Sequence, residues 1–392
     1  MNDPIVICGY ARTPMGGMMG ELADVPSPQL GATAIAAAME RAGVDNNDVD
    51  EALIGCVLPA GVGQSPARQA ALGAGLPVST GTTTVNKMCG SGMKTVMMAC
   101  DTLLAGQADV VVAGGMENMS SAPYILKKAR GGYRLGNGEL LDHMYIDGLQ
   151  DAYTGGLMGV FAESCAGKYT FTREDQDAYA IESLRRANAA IDAGNFKREI
   201  APVTVKTRKG ETVIDTDEQP GNARPDKIPN LKPAFKKDGS VTAANASSIS
   251  DGAAALVLMR QSEAEKRGIK PVAVIRGYTQ FAQEPEWFTT APVGAMNNLF
   301  ERTGWSAADV DLFEVNEAFA VVAMAAMKEL DIPHDKVNVH GGACALGHPL
   351  GASGARIIVT LLSALETYGK TKGVASLCIG GGEATAVAVE LL

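Results

Sequence analysis

Cys89 lies in Asn86-Lys-Met-Cys89-Gly-Ser-Gly-Met93, a glycine-rich turn ahead of an expected helix, where a cysteine can act as a nucleophile. Bare N–H groups and the dipole at a helix N-terminus favour a thiolate. Gly90 and Gly92 are expected to form the tight, strained turn that presents the sulfur. The competing reading is an inert buried thiol, the commoner fate of cysteine. His348 sits in a second such turn, Gly341-Gly-Ala-Cys-Ala-Leu-Gly347-His348-Pro349-Leu-Gly351-Ala-Ser-Gly354. Pro349 biases it to extended backbone and keeps the helix from starting early. It is either a reactive histidine or a core histidine bonded to backbone. The other histidines, His143, His334 and His340, lack comparable surroundings. Cys344 and His348 would make half a metal site, and no second Cys/His pair completes it, so no metal is expected.

A second thiol opens Cys378-Ile-Gly-Gly-Gly-Glu383 at the carboxyl end of an expected strand. Its three glycines leave N–H groups bare, which suits a developing oxyanion. Asn316 and Glu317, in Val315-Asn316-Glu317-Ala318-Phe319-Ala320, are polar residues in a stretch that otherwise reads as core. Asn316 is either a site residue or a helix N-cap.

The elements that position these turns are duplicated. Ala38-Met-Glu-Arg-Ala-Gly43 followed by Asp48-Val-Asp50 recurs, 261 positions on, as Leu299-Phe-Glu-Arg-Thr-Gly304 followed by Asp309-Val-Asp311. Ser91-Gly92, leading to Val110–Gly115, recurs as Ser353-Gly354, leading to Ala375–Gly381. Ile5–Cys8, Ala52–Val57 and Ala108–Ala113 read as strands, and Leu30–Ala42 as a helix. Met93, Val96, Met97, Cys100, Leu103 and Leu104 have helical spacing, with Gly106 as a left-handed cap. Ile357, Ile358, Leu361, Leu362 and Leu365 repeat that stripe. Two such halves imply an α/β fold in α-β-α-β-α layers.

Between the copies the composition changes. Residues 121–240 hold 35 of the 78 charged residues, 18 of them basic and 17 acidic, in a chain of 392 residues with net charge −10. They read as a solvated excursion or as a lid that brings cations to an anionic ligand. The net charge argues against nucleic acid and anionic membranes as partners. Met1-Asn-Asp-Pro-Ile-Val-Ile-Cys8 lacks a basic region and a sustained apolar run, so it is not expected to be a secretory signal. Seven scattered cysteines without Cys-x-x-Cys suggest free thiols in a reducing, cytoplasmic setting.

Val85-Asn-Lys-Met-Cys-Gly-Ser-Gly92, Gly114-Gly-Met-Glu-Asn-Met119, Asn316-Glu-Ala-Phe319, Gly347-His-Pro-Leu-Gly-Ala-Ser-Gly354 and Cys378-Ile-Gly-Gly-Gly382 together carry a resemblance over essentially the whole chain. The chain resembles the thiolase family, and within it the acetyl-CoA acetyltransferases. The resemblance implies a thiolase-like duplicated α-β-α-β-α core with an inserted loop domain. Residues 1–120, completed by 249–270, would form the N-terminal core half. Residues 121–248 would form a CoA-binding loop domain, and 271–392 the C-terminal half.

The implied reaction is the reversible Claisen condensation of two acetyl-CoA to acetoacetyl-CoA and CoA. Cys89 would be acylated, with His348 as its base and Cys378 as acid and base. One oxyanion hole would use His348 and a water held by Asn316; the other would use the N–H groups of Cys89 and Gly380. Phe235, Ala243 and Ser247 match pantetheine-channel positions, Ala318 and Phe319 belong to the same set, and Arg224 is a looser match for the nucleotide phosphates. CoA thioesters are substrates, no cofactor is implied, and the family form is a homotetramer.

Two positions depart from the family pattern. Leu157 stands before Met158-Gly159 where many short-chain relatives have a His that touches the CoA-bound substrate, and Glu383 follows the glycine triplet where a small or neutral residue is expected. A broader-chain 3-ketoacyl-CoA thiolase of β-oxidation is the alternative. A decarboxylating β-ketoacyl synthase would place a His where Cys378 stands, and a degenerate scaffold would not keep all the reactive residues.

Overall fold

The computed structural model describes residues 3–207 and 210–392. Met1 and Asn2, which open the segment assessed for a secretory signal, lie outside the described residues. Strands β1 (Ile5–Arg12), β2 (Glu51–Gly55), β3 (Gly81–Val85), β4 (Val110–Asn118) and β5 (Ser250–Arg260) come from one half of the chain. The other half supplies β6 (Ala273–Ala282), β7 (Leu312–Val315), β8 (Lys372–Ile379) and β9 (Glu383–Leu391). They run side by side in the order β7-β8-β9-β6-β1-β5-β4-β2-β3.

The two half-sheets repeat one plan and pair with each other at Val6↔Val274 and Ile7↔Ala273. In the first, β3, β2 and β4 are parallel and β5 and β1 antiparallel. In the second, a parallel bridge from Phe313 to Val337 takes the place of β3, followed by β7, β8, β9 and β6.

Helices complete five layers. Helices α1 (Ser27–Ala42) and α2 (Pro66–Gly73) cover the outer face of the first half-sheet. Helix α3 (Ser91–Leu104) lies between the sheets. Helices α4 (Met158–Tyr169) and α5 (Arg173–Asp192) belong to the excursion between β4 and β5. Helices α6 (Ala291–Thr303) and α7 (Ala320–Leu330) cover the outer face of the second half-sheet, and α8 (Leu350–Tyr368) joins α3 at the centre. Side chains alternate accordingly: Val111 and Ala113 face the central helices, while Val110 and Val112 face the outer pair. Helix α8 has the length and apolarity of a membrane span, but 89% of that window is buried inside the fold.

The repeated residues do the same work twice. Gly43 and Gly304 are left-handed caps that end α1 and α6, with φ of 64° and 72°. The carboxylate of Asp50 accepts from the backbone of Val110 at 3.0 Å, and that of Asp311 from Lys372 at 2.9 Å. Each fixes the start of the central strand beside it. Strand β1 continues past Cys8, the expected end, because a bulge at Cys8 lets Gly9 lie against Ala38 and Ala42 of α1. Gly277 does the same in β6 against Leu299 and Thr303 of α6.

The excursion is anchored by a buried arginine. Arg12 donates to Glu199 at 2.5 Å and, in a bidentate contact, to Asp217 at 2.6 and 2.8 Å. With all three side chains fully buried, the segment is fixed to the core at that point.

Candidate active site

Two strands and two central helices deliver the reactive turns to one apolar cleft of about 790 Å³. Cys89, His348 and Gly380 line it together with Leu157, Met158, Phe235, Ala243, Ser247, Ala318 and Phe319. Arg224 is not part of that lining; its guanidinium binds the carbonyls of Asn222 and Ala223 at 3.2 and 2.9 Å. The lining holds no lysine or arginine among the described residues, and its charged members are Asp147 and Asp151. The excursion therefore contributes apolar surface here, and its cations lie elsewhere.

The turn that carries Cys89 is strained, but not at its glycines. Met88 has φ of 48° while Gly90 has φ of −83°. Asn86 accepts from Met88 N at 2.9 Å, and the Ser91 hydroxyl accepts from Lys87 N at 2.9 Å while donating to Met88 O at 2.6 Å. These bonds hold a non-glycine residue in the left-handed region. Gly90 is needed for a different reason, since a Cβ there would overlap Ile379, next to Cys378.

Burial works against the thiolate that the helix N-terminus favours. Burial pushes the Cys89 thiol up to about 11, against the N–H groups of Gly380 and of Cys89 itself, which face the sulfur. Desolvation outweighs the helix N-terminus. Cys89 rests as a thiol and needs a base.

His348 has the form of that base. Its Nδ1 lies 2.5 Å from Ser353 Oγ, and the Ser353 hydroxyl donates to Pro349 O at 2.9 Å. Ser353 must then accept, so the proton is on Nδ1 and Nε2 carries the lone pair. Nε2 is buried and has no hydrogen-bond partner among the described residues. Burial, helped by the positive charge of Arg356, pushes the imidazole down to about 3. The ring is a neutral acceptor lining the cleft.

Cys378 is fully buried and does not line the cleft. Burial first, and the neighbouring Cys89 sulfur second, raise its thiol well above the ordinary range. Asn316 is buried at the end of β7, four residues before α7, whose N-cap is Phe319, so its N-cap reading falls away. Its Oδ1 accepts from Arg356 at 3.4 Å, and its Nδ2 has no protein partner among the described residues. An orphaned amide N–H of this kind fits the holding of a water.

Three further residues support the site: Glu317 and Glu383, noted in the sequence without a role, and Ser250, which carried no signal there. Glu317 is fully buried and accepts from Tyr179 at 2.9 Å, Ser183 at 2.7 Å, Asn338 at 2.8 Å and Cys344 N at 3.0 Å. It joins the Asn316 segment to α5 and to the loop that precedes His348. Ser250 accepts from His348 N at 3.2 Å. Glu383, without an assigned partner in the sequence, forms an ion pair with Lys87. The only signal for Glu317 was a charged residue inside an apolar run.

Comparisons with known proteins agree with the motifs. The family model for the thiolase N-terminal domain matches residues 5–262, and that for the thiolase C-terminal domain matches 269–391. The chain is 51% identical over 388 residues to an acetyl-CoA acetyltransferase of Chromobacterium violaceum, covering 98% of this chain and 99% of that protein. It is 50% identical over 389 residues to an acetyl-CoA acetyltransferase of Escherichia coli K12, covering 99% of each. Among solved structures, the acetyl-CoA acetyltransferase of Bacillus anthracis superposes with a TM-score of 0.97 at 42% identity, covering 100% of this chain and 99% of that one. The Acat5 thiolase of Ascaris suum, in complex with coenzyme A, superposes with a TM-score of 0.94 at 41% identity, covering 99% and 100%.

Proposed function

Because the chain belongs to the thiolase family, we propose that it is an acetyl-CoA C-acetyltransferase, joining two acetyl-CoA into acetoacetyl-CoA and CoA in a reversible reaction. The observation that carries this reading is the meeting of Cys89, His348 and Gly380 on one apolar cleft with the second thiol, Cys378, behind them.

In the first half-reaction the Cys89 sulfur attacks the thioester carbonyl of acetyl-CoA and its proton passes to His348 Nε2. The N–H groups of Cys89 and Gly380 receive the oxyanion. The CoA sulfur leaves with the proton of Cys378, which rests protonated. Acetyl-Cys89 and a Cys378 thiolate remain. In the second half that thiolate removes a Cα proton from another acetyl-CoA. His348, with its proton on Nε2, and a water on Asn316 Nδ2 meet the enolate oxygen. The enolate attacks acetyl-Cys89, the Cys89 sulfur departs, and His348 returns its proton. Two thiols are required because an acylated sulfur cannot also be the base.

The lining residues Leu157, Met158, Phe235, Ala243, Ser247, Ala318 and Phe319 are assigned to the pantetheine and acyl chain. Arg224 is assigned to the nucleotide phosphates by resemblance alone. The same resemblance supports the division into 1–120 with 249–270, 121–248 and 271–392, a homotetramer, a role in fatty acid metabolism and turnover without a cofactor. A cytoplasmic location rests on the seven scattered cysteines.

The test is CoA-dependent cleavage of acetoacetyl-CoA beside 3-ketohexanoyl- and 3-ketodecanoyl-CoA, with Cys89→Ala as control. Activity confined to the shortest substrate supports the proposal. Comparable activity on the longer chains moves the protein to β-oxidation, and no cleavage at all sinks both readings.

A further inference from the structure

The Gly114-Gly-Met-Glu-Asn-Met119 segment is not used by the chemistry above, yet its Glu117 is fully buried between β4 and the start of α8. One carboxylate oxygen, Oε2, accepts from Gly351 N at 2.8 Å and from Val57 N at 2.9 Å. The other, Oε1, accepts from Leu58 N at 3.1 Å and from the Cys56 thiol at 3.7 Å. Three of the partners are backbone N–H donors that favour the carboxylate, while burial raises the carboxyl to about 7, so both oxygens are full acceptors above that pH. The approach is close as well: a Cβ on Gly351 would lie 2.6 Å from Met116 O and 2.8 Å from Glu117 Oε2. Gly351 ends the His348-Pro349-Leu350-Gly351 turn, and Leu350 packs with Val57, Leu58, Met144 and the half-buried Cys89.

We infer that Glu117 is a positioning residue: by gripping Gly351 N and the Val57–Leu58 loop together, it sets the place of the His348 imidazole relative to the Cys89 sulfur. The inference rests on the reading of His348 as the base toward Cys89. An anion at the first turn of α8 also meets the positive end of that helix, which strengthens the grip. Glutamine cannot replace it, because its amide NH2 would face donors at one of the two oxygen positions.

The test follows acylation of Cys89 as the burst of CoA released from acetyl-CoA, in the full-length protein. Glu117→Gln should slow the burst at least about tenfold, as a displaced catalytic group does, and Glu117→Asp, which keeps the charge but shortens the arm, should lie between it and the parent. The same substitution placed on His348→Ala should add nothing. Should Glu117→Gln fail to fold, Glu117→Asp in both backgrounds carries the same comparison. A burst unchanged by both Glu117 variants, or slowed equally in the presence and absence of His348, overturns the inference. A burst unaffected by His348→Ala alone overturns instead the assignment of the base.

Discussion

Lys87 and Glu383, 296 positions apart in the chain, form an ion pair that ties the Cys89 turn to the strand leaving the Cys378 turn. Lys87 precedes Cys89 by two residues and Glu383 opens β9, immediately after the glycine triplet. The pair thus spans the two thiol-bearing turns, which also meet where Gly90 packs against Ile379.

With side chains 20% and 39% exposed, this pair contributes little to global stability, about 1 kcal/mol at most. Its effect should appear in the rate. Glu383→Gln and Lys87→Met are each expected to lower kcat for acetoacetyl-CoA synthesis about tenfold, with an almost unchanged melting temperature. The double variant should be no slower than either single one. Steady-state kinetics on the four proteins decide: parental kcat in both singles, or losses that multiply in the double, would show that the pair is only a surface contact.

The pH behaviour follows from two buried neutral groups. Cys89 has its proton up to about pH 11 and His348 lacks one down to about pH 3, so between them the free enzyme holds a thiol and an imidazole, not an ion pair. The raised thiol keeps the thiolate scarce on the acid side of 11 and lets it grow with rising pH. Alkylation of Cys89 by iodoacetamide should therefore climb about tenfold per unit from pH 8 to 10 without levelling. A plateau reached below about pH 9 would show that the two groups share an ion pair.

Much of this arrangement was legible in the sequence, and the losses have physical causes. The repeat of Gly43 and Asp50 in Gly304 and Asp311 could be read because each residue does a local, type-specific job, capping a helix or receiving a strand's first N–H groups. The equivalence of Gly9 and Gly277 could not, since each matters only through the helix packed on it. The glycines around Cys89 mark its turn in the sequence, but its ionisation cannot be read there, because desolvation depends on what the fold brings over the sulfur. Glu117 and Glu317 illustrate the same limit. A buried carboxylate is recognisable only by its donors, and those come from segments far away in the chain.

Glu317 offers a stability test. Glu317→Ala would leave the Tyr179 and Ser183 hydroxyls, the Asn338 amide and Cys344 N without their acceptor inside the core. Each stranded donor costs about 1–3 kcal/mol, so a loss of at least about 3 kcal/mol is expected even after relaxation. Urea unfolding measures it directly. A loss below about 1 kcal/mol would mean that these donors find other partners and that Glu317 does not hold the Asn316 segment in place.

Leu157 addresses substrate choice. It lines the cleft beside Met158 and Phe235, and it presents an apolar wall where many short-chain relatives present an imidazole. A propyl group on the ketoacyl unit of 3-ketohexanoyl-CoA adds two methylenes over acetoacetyl-CoA, and each methylene buried against apolar surface gains about 0.8 kcal/mol, roughly fourfold in binding. If the acyl chain runs along Leu157, Leu157→His should lower the ratio of kcat/KM for 3-ketohexanoyl-CoA over acetoacetyl-CoA by about fourfold or more, with the acetoacetyl-CoA value changed far less. Thiolysis of both substrates by the two proteins measures that ratio. An unchanged ratio with a raised KM for both would place Leu157 against the part of CoA common to every substrate, and chain-length choice would then belong to another part of the cleft wall.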